Sequence, residues 1–434
     1  MKKNDLINEF INSNQKLFSL VGPNNSGKSY FLKYDLYDNP NLQSIMYLDE
    51  NGIYSIKGNR AKVKIVEIDK KMYYRYIDDS RRGSYEERAP QLVEIDKSSL
   101  NIIERAQSIF DRTNIPNKSL GTSKIHLISQ SLLEYNLNEI TYFIFDEPEN
   151  ALDDERMKYL ERLFKILVNN GKKLFFVTHS PRFLELLQVD IDCLYILPGI
   201  NKPFIHFNKN DIYILFDDVA NEITNRLNLN NNINDIAKLD FKSGTSLSRI
   251  QIDLFLKSYD FYKVLFYLKV CIVEGDTEDY SLKCLNDGIS SNKTIYKARG
   301  KYYIPFLANL FASFGVSVNC IIDPDIKANK DKNLSNELTE YLCSKSDIYN
   351  CKALTGDLEN YLSIDFDTSI KKLIGEEVLQ SNRQYKKFKN DHKALVTYFE
   401  IMADPIKKAK LLELVEDKEV KVSNKFANIF EIKE

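Results

Sequence analysis

The chain of 434 residues is poor in the residues that break regular structure, with 15 Gly and 11 Pro. That scarcity argues against a disordered or low-complexity chain. The six cysteines (Cys193, Cys271, Cys284, Cys320, Cys343, Cys351) are scattered, with no C-x-x-C pair and no histidine at metal-ligand spacing, so a thiolate zinc site is excluded and reduced thiols are expected. No run approaches the roughly 20 apolar residues needed to span a bilayer, and the N-terminal MKKNDLINEFINSNQK has basic residues without an apolar segment behind them. A soluble cytosolic protein with no membrane partner is the expectation. An excess of one charge sign is also missing: 60 Lys and Arg oppose 62 Asp and Glu, for a net charge of -2. A global basic surface for nucleic acid is thereby excluded, leaving only local patches.

What is present is core material. Hydrophobic residues make up 43% of the chain, including 26 Tyr and 25 Phe, and the length exceeds what one hydrophobic core usually sustains. Two or more domains follow. Lys16 to Gly22 is an apolar run that enters a glycine-rich turn, and a helix is predicted from Lys28. Further buried strands are predicted at Thr141 to Phe145 and Lys173 to Thr178, with Asp153 to Asn169 at helical spacing between them, a βαβ unit. Residues 50–118, rich in charge and Tyr, read as an insertion. The Asn-rich stretch from Asn228 to Ile236 reads as a linker, and beyond it strands are predicted from Val270 and over Ser317 to Ile322. The C-terminal 60 residues are Lys-rich and helical in pattern.

Gly22-Pro-Asn-Asn-Ser-Gly27-Lys28-Ser29 matches G-x-x-x-x-G-K-S between a strand and a helix. Glycines let the backbone curl until its N–H groups and a helix N-terminus face phosphate; Lys28 reaches the terminal phosphates and the Ser29 hydroxyl serves Mg²⁺. ATP is therefore the expected ligand, with Gly22, Asn25, Gly27, Lys28, Ser29 and Tyr30 around it. Phe143 to Glu149 is an apolar strand ending in carboxylates, which suits Asp146 for the Mg²⁺ shell and Glu147 for orienting the attacking water. Another strand ends at His179, within reach of a γ-phosphate.

The order phosphate loop, Asp-Glu strand, histidine resembles ABC-type ATPases. That resemblance implies a signature before the Asp-Glu strand, and Ser119-Leu-Gly121-Thr-Ser123 stands there, similar to the S-x-G-T form of recombination and chromosome-maintenance ATPases. The alternative reading of Ser119 and Gly121 is a helix cap. Because such a signature closes over the ATP of another subunit, the resemblance implies a homodimer or a higher even-numbered assembly. About 90 residues separate the phosphate loop from Ser119, too few for long coiled-coil arms.

A second acidic set begins with Val270-Cys-Ile-Val-Glu274-Gly275 and Glu278, then continues with Cys320-Ile-Ile-Asp323-Pro-Asp325. Carboxylates from separate strand ends suit Mg²⁺, with Mn²⁺ an alternative, and a pair of such ions suits phosphodiester hydrolysis. The pattern resembles the Toprim domain of topoisomerases, primases and some nucleases. Arg299-Gly300-Lys301 looks like that family's small-residue and Lys element, and Gly356-Asp357-Leu358-Glu359-Asn360 like its Leu-Glu element. The resemblance implies Glu274, Asp323, Asp325 and Lys301 as catalytic residues and Glu274, Glu278, Asp323, Asp325 and Glu359 as metal ligands, beside Ser29 and Asp146 in the first site. Glu147 and His179 are the catalytic residues implied for ATP hydrolysis.

An ABC-type ATPase joined to a Toprim domain resembles the overcoming lysogenization defect (OLD) family of nucleases, with relatives in the Gabija and retron anti-phage systems; the likeness covers about 15–215 and 255–365. The expected fold is α/β: an ABC-type P-loop ATPase domain over 1–225 with its insertion, a connection over 226–262, a parallel-sheet, Rossmann-like Toprim domain over 263–370, and a helical extension over 371–434. The expected activity is ATP-controlled, Mg²⁺-dependent cleavage of DNA, with a companion defence protein or nucleic acid as a further partner. The competing expectation is an ATP-driven sensor or scaffold whose Toprim domain binds without cutting. A transporter subunit is disfavoured by the acidic second domain, and no nucleophilic Tyr for a topoisomerase stands out. Arg81-Arg82 and Lys327 to Lys332 are basic runs that could meet nucleic acid or simply be solvated.

Overall fold

A computed structural model of the protein describes residues 1–50, 54–57, 62–77, 92–116, 118–228, 246–283, 285, 293–323, 334–354, 357–365, 368–369 and 382–415. The chain forms two compact units: residues 1–207 with Lys257–Tyr262, and residues 208–256 with 263–434.

The first unit is built on a seven-stranded sheet. Its strands are β1 (Leu17–Val21), β2 (Ile45–Leu48), β3 (Tyr54–Lys57), then, past a separate three-stranded sheet of β4 (Lys62–Ile68), β5 (Lys71–Ile77) and β6 (Leu92–Glu94), β7 (Tyr142–Asp146), β8 (Lys173–Val177), β9 (Leu194–Ile196) and β10 (Ile205–His206). The order is β10-β9-β1-β8-β7-β2-β3. Strands β9, β1, β8, β7 and β2 run parallel, and β10 and β3 close the two edges antiparallel. The parallel strands are buried on both faces, as near-continuous apolar runs require. One face carries an aromatic layer in which Phe18 stacks on Phe175 at 5.9 Å and Phe10 meets Phe18 edge-on at 5.1 Å. The other face is covered by the helix Asp154–Asn169, whose Phe164 lies 4.5 Å from Phe145 and 5.6 Å from Phe176. Strand β7, this helix and β8 form the predicted βαβ unit, with Phe143 beside Leu174 and Asp146 beside Val177.

The second unit holds a four-stranded, all-parallel sheet of β11 (Lys269–Val273), β12 (Lys293–Lys297), β13 (Ser317–Ile322) and β14 (Asn350–Ala353), in the order β12-β11-β13-β14. Helix Ile304–Ser313 is apolar and buried over nearly its whole length against this sheet. Helix Lys209–Asn228 packs on it, with Phe216 edge-on to Phe306 at 5.2 Å. That helix therefore lies in the second unit, whereas the expected ATPase domain over 1–225 takes in all but its last turn; its apolar face finds its partner there. Helices Asn382–Ala403 and Pro405–Val415 add Ile401, Leu411 and Leu414 to the core beneath Cys271 and Ile321. The Asn-rich linker beyond Asn228, both basic runs, and residues 78–91 of the insertion lie outside the described residues. No helix among the described residues is long and apolar enough to cross a membrane.

Candidate nucleotide and carboxylate sites

The phosphate loop follows β1 directly. Gly22 has φ 145, and a Cβ there would sit 2.2 Å from the Leu197 carbonyl oxygen, so only glycine fits between loop and neighbouring chain. Asn25 (φ 60) and Gly27 (φ 96) turn the backbone into the helix that starts at Lys28. The Lys28 ammonium is buried and folds back over the loop, donating to the carbonyls of Gly22 (2.9 Å) and Pro23 (2.8 Å). Burial pushes its pKa down to about 8, against the opposing pull of Glu147 and Asp146. A cavity of about 740 Å³ opens beside the loop, lined by Ser26, Gly27, Tyr30, Phe31, Ile200 and Phe204, with room for a nucleoside. Tyr30 is exposed there, 4.8 Å from the Tyr34 ring.

Strand β7 delivers Asp146 to the same place, where Ser29 Oγ donates to Asp146 Oδ1 at 3.0 Å and the Tyr47 hydroxyl to Oδ2 at 3.3 Å. Burial pushes the Asp146 carboxyl up to about 6; the Ser29 hydrogen bond works the other way and the charge of Glu147 adds to the rise. Two oxygens of the Mg²⁺ set thus already touch, in a pocket whose carboxylate gains from a cation, which fits Mg²⁺ with ATP. Glu147 lies 3.2 Å from His179 Nε2 through Oε1, and this hydrogen bond, ahead of burial that opposes it, holds its carboxyl below the usual carboxylate range. Glu149 is buried and accepts from Thr178 Oγ1 (2.6 Å) and from the His179 backbone N–H (3.1 Å), so it fixes the loop that carries His179. Ser119 is the N-cap of helix Leu120–Leu133, its Oγ accepting from the Thr122 N–H. Gly121 packs so close to Ala151 that a Cβ would meet the Ala151 carbonyl oxygen at 2.4 Å.

In the second unit, Glu274 directly follows β11 and Asp323 directly follows β13, two adjacent parallel strands. The Gly300 N–H donates to the Glu274 carbonyl at 3.1 Å, with Arg299 (φ 59) and Gly300 (φ 136) in left-handed backbone, so the Arg-Gly-Lys element folds back onto the strand end. Lys301 is buried behind it. Its ammonium donates to the Asp323 carbonyl and stands 3.9 Å from Glu274 Oε2. Glu278, in the first turn of helix Asp276–Lys283, is buried and accepts from the Gly275 N–H at 3.0 Å. Asp323 is pushed up to about 8, first by burial and then by the negative charges of Glu278, Glu274 and Glu359, with Lys393 opposing. Its Oδ1 is buried without a hydrogen-bond partner among the described residues. An all-oxygen set short of positive charge fits a hard divalent cation. Nevertheless, no three of these side chains, among the described residues, stand close enough together to hold an ion, and Asp325 lies outside those residues.

Five side chains at these sites are not among the residues expected from the sequence. Lys393, on helix Asn382–Ala403, pairs with Glu359 at 2.9 Å and Asp357 at 3.4 Å, while Thr397 Oγ1 donates to Glu359 at 3.2 Å. Nothing in its local sequence marks it. Tyr47 and Lys124 reach the Asp-Glu turn from β2 and from the helix after Ser119, and only Glu149 had a visible signal, as the third carboxylate of Asp-Glu-Pro-Glu.

Comparison with known proteins divides along the same line. Residues 265–325 match the family model described as "Overcoming lysogenization defect protein-like, TOPRIM domain". The chain is similar to the arginine transport ATP-binding protein ArtM of Bacillus subtilis, with 28% identity over 179 residues, covering 39% of this chain and 72% of that protein. It is also similar to a putative ABC transporter ATP-binding protein of Clostridium acetobutylicum, with 24% identity over 238 residues, covering 51% of this chain and 88% of the relative.

Proposed function

From a chain that joins an ABC-like ATP-binding region to an OLD-like Toprim domain, consistent with the ATPase–Toprim fusion of the OLD family, we propose an ATP-controlled, divalent-metal-dependent DNA endonuclease serving anti-phage defence. The observation that carries the reading is the half-buried Asp323 carboxyl, its Oδ1 shut off from solvent at a strand end in the combined field of Glu274, Glu278 and Glu359. Such a cluster resists its own charge unless a cation joins it.

In the first unit, Lys28 and the loop N–H groups hold the ATP phosphates, Ser29 and Asp146 hold Mg²⁺, and Glu147, oriented by His179, aligns the attacking water. Ser119 and Gly121 present the start of their helix to the nucleotide of a second subunit, so a homodimer or larger even-numbered assembly is the active form. In the second unit, Glu274, Glu278, Asp323, Asp325 and Glu359 are the ligands for Mg²⁺ or Mn²⁺. Such an ion supplies Lewis-acid stabilisation of the charge on the scissile phosphodiester. Lys301 keeps the two strand ends together through the Asp323 carbonyl, and Lys393 brings a positive charge beside Glu359. DNA, and a companion defence protein or nucleic acid as trigger, are the partners of this reading.

Nicking of supercoiled plasmid in Mg²⁺ or Mn²⁺, with and without ATP, tests it. Cleavage is expected in the wild type and absent from Glu274→Ala and Asp323→Ala; if those variants cut as well as wild type, the site is wrongly assigned. A second reading, a Toprim domain that binds without cutting beneath an ATP-driven sensor, has one observation in its favour: among the described residues no three carboxylates converge at ligand distance. It predicts ATP turnover sensitive to Lys28→Ala and Glu147→Gln with no cleavage under either metal.

A further inference from the structure

The turn after β7 contains an unusual backbone. Glu147 has φ 46, a left-handed conformation that a residue with a side chain adopts at a cost, and one that persists where neighbouring groups hold it. Its N–H donates to the Val177 carbonyl at 3.0 Å, tying it to β8. Its carbonyl is held from another direction. The Lys124 ammonium donates to the Glu147 carbonyl at 2.6 Å and to the Glu50 carbonyl at 2.7 Å. Lys124 is 5% exposed, so this is a buried cation satisfied by peptide oxygens, close to the Glu147 and Glu149 carboxylates that oppose the effect of burial on it. It rides on the helix capped by Ser119, one turn from Gly121, whose own backbone lies against Ala151. The helix thus grips the 147–151 segment at two points, Glu147 through Lys124 and Ala151 through Gly121.

We propose that Lys124 is a positioning residue for ATP hydrolysis: its ammonium fixes the Glu147 peptide, and with it the direction of the Glu147 carboxylate toward the water and His179. This rests on Glu147 orienting that water, as above. A helix whose N-terminus meets nucleotide then has a direct mechanical connection to the residue that aligns the water, two links from Ser119 to Glu147. Methionine at position 124 keeps the stem and removes the charge and the donors, whereas arginine keeps a buried cation able to reach both carbonyls.

Steady-state ATP turnover of Lys124→Met, Lys124→Arg, Glu147→Gln and Lys124→Met/Glu147→Gln tests the proposal. Misplacing one aligned group costs on the order of 30-fold or more in kcat while leaving ground-state binding alone, so KM for ATP is expected to stay within about 3-fold in the Met variant. The Arg variant is expected to recover turnover to within about 5-fold of wild type, and in the Glu147→Gln background the Met substitution to cost less than about 2-fold, because its effect passes through Glu147. An undiminished kcat in Lys124→Met overturns the proposal. So does a loss in the double variant as large as in the single one, or a parallel fall of kcat, affinity and melting temperature in both the Met and Arg variants, which makes Lys124 a core residue only. A wild-type chain that binds ATP without hydrolysing it removes the parent reading and this inference together; turnover in the wild type with an unaffected Met variant removes the inference alone.

Discussion

Replacing Gly121 by alanine sets two physical effects of opposite sign against each other. Gly121 lies in the first turn of helix Leu120–Leu133 and has no left-handed backbone, so on helix propensity alone alanine would stabilise by roughly 0.5–1 kcal/mol. The added Cβ, however, would stand 2.4 Å from the Ala151 carbonyl oxygen and 3.3 Å from its carbon. The obstacle is backbone, not the end of a flexible side chain, so the helix start must move away from the segment that follows Glu147. Overpacking of this kind costs typically 1–3 kcal/mol, enough to outweigh the propensity gain. A net loss of about 1–2 kcal/mol corresponds to a fall of roughly 2–8 °C in the melting of a unit this size. Thermal unfolding followed with ATP turnover reads both consequences, and turnover is expected to fall because the shift carries Lys124 and the capped N-terminus with it. A Gly121→Ala protein that melts at or above the wild-type temperature and hydrolyses ATP at the wild-type rate refutes the close approach of Gly121 to the Ala151 carbonyl.

Other outcomes follow from single contacts. Lys28 stands at about pKa 8 in the free loop because burial disfavours its charge, and bound phosphate raises that value; ATP binding therefore takes up little proton at pH 7 but approaches one at pH 9, and affinity falls about tenfold between them. Calorimetry in buffers of different ionisation enthalpy measures the uptake, and a proton count that stays flat from pH 7 to 9 contradicts it. The buried Lys173 ammonium donates to the carbonyls of Phe10, Ile11 and Ser13 at the end of the first helix (Lys3–Asn12), so Lys173→Met is expected to cost about 2 kcal/mol in urea unfolding, with no change in slope. Lys393→Met removes the cation paired with the 5%-exposed Glu359, and plasmid nicking is expected to fall by at least about tenfold; nicking at the wild-type rate would detach helix Asn382–Ala403 from the site.

By itself, the sequence determined what local chain geometry dictates. A glycine-rich turn between an apolar strand and Lys28 has few backbone solutions, so the phosphate loop, the strand ends bearing Asp146, Glu147, Glu274 and Asp323, and the βαβ unit over 142–177 were all legible from spacing and apolar runs. The parallel strands at the centre of the first sheet were legible for the same reason, since they are continuous hydrophobic segments, whereas the all-parallel second sheet followed only from the Toprim resemblance: β12 and β14 are interrupted by Lys, Thr and Asn and carry no apolar run to mark them. Tertiary structure decided which distant groups complete those ends. Tyr47 reaches Asp146 from a neighbouring strand, Lys124 reaches Glu147 from a helix, and Lys393 reaches Glu359 from 34 positions further along the chain. None of them carries a local signature, because a lysine or tyrosine becomes part of a site only when burial removes water and leaves a particular carbonyl or carboxylate as its partner. The placement of helix Lys209–Asn228 in the second unit has the same origin: its apolar face is plain in the sequence, but which surface buries it depends on Phe306, 90 positions beyond Phe216.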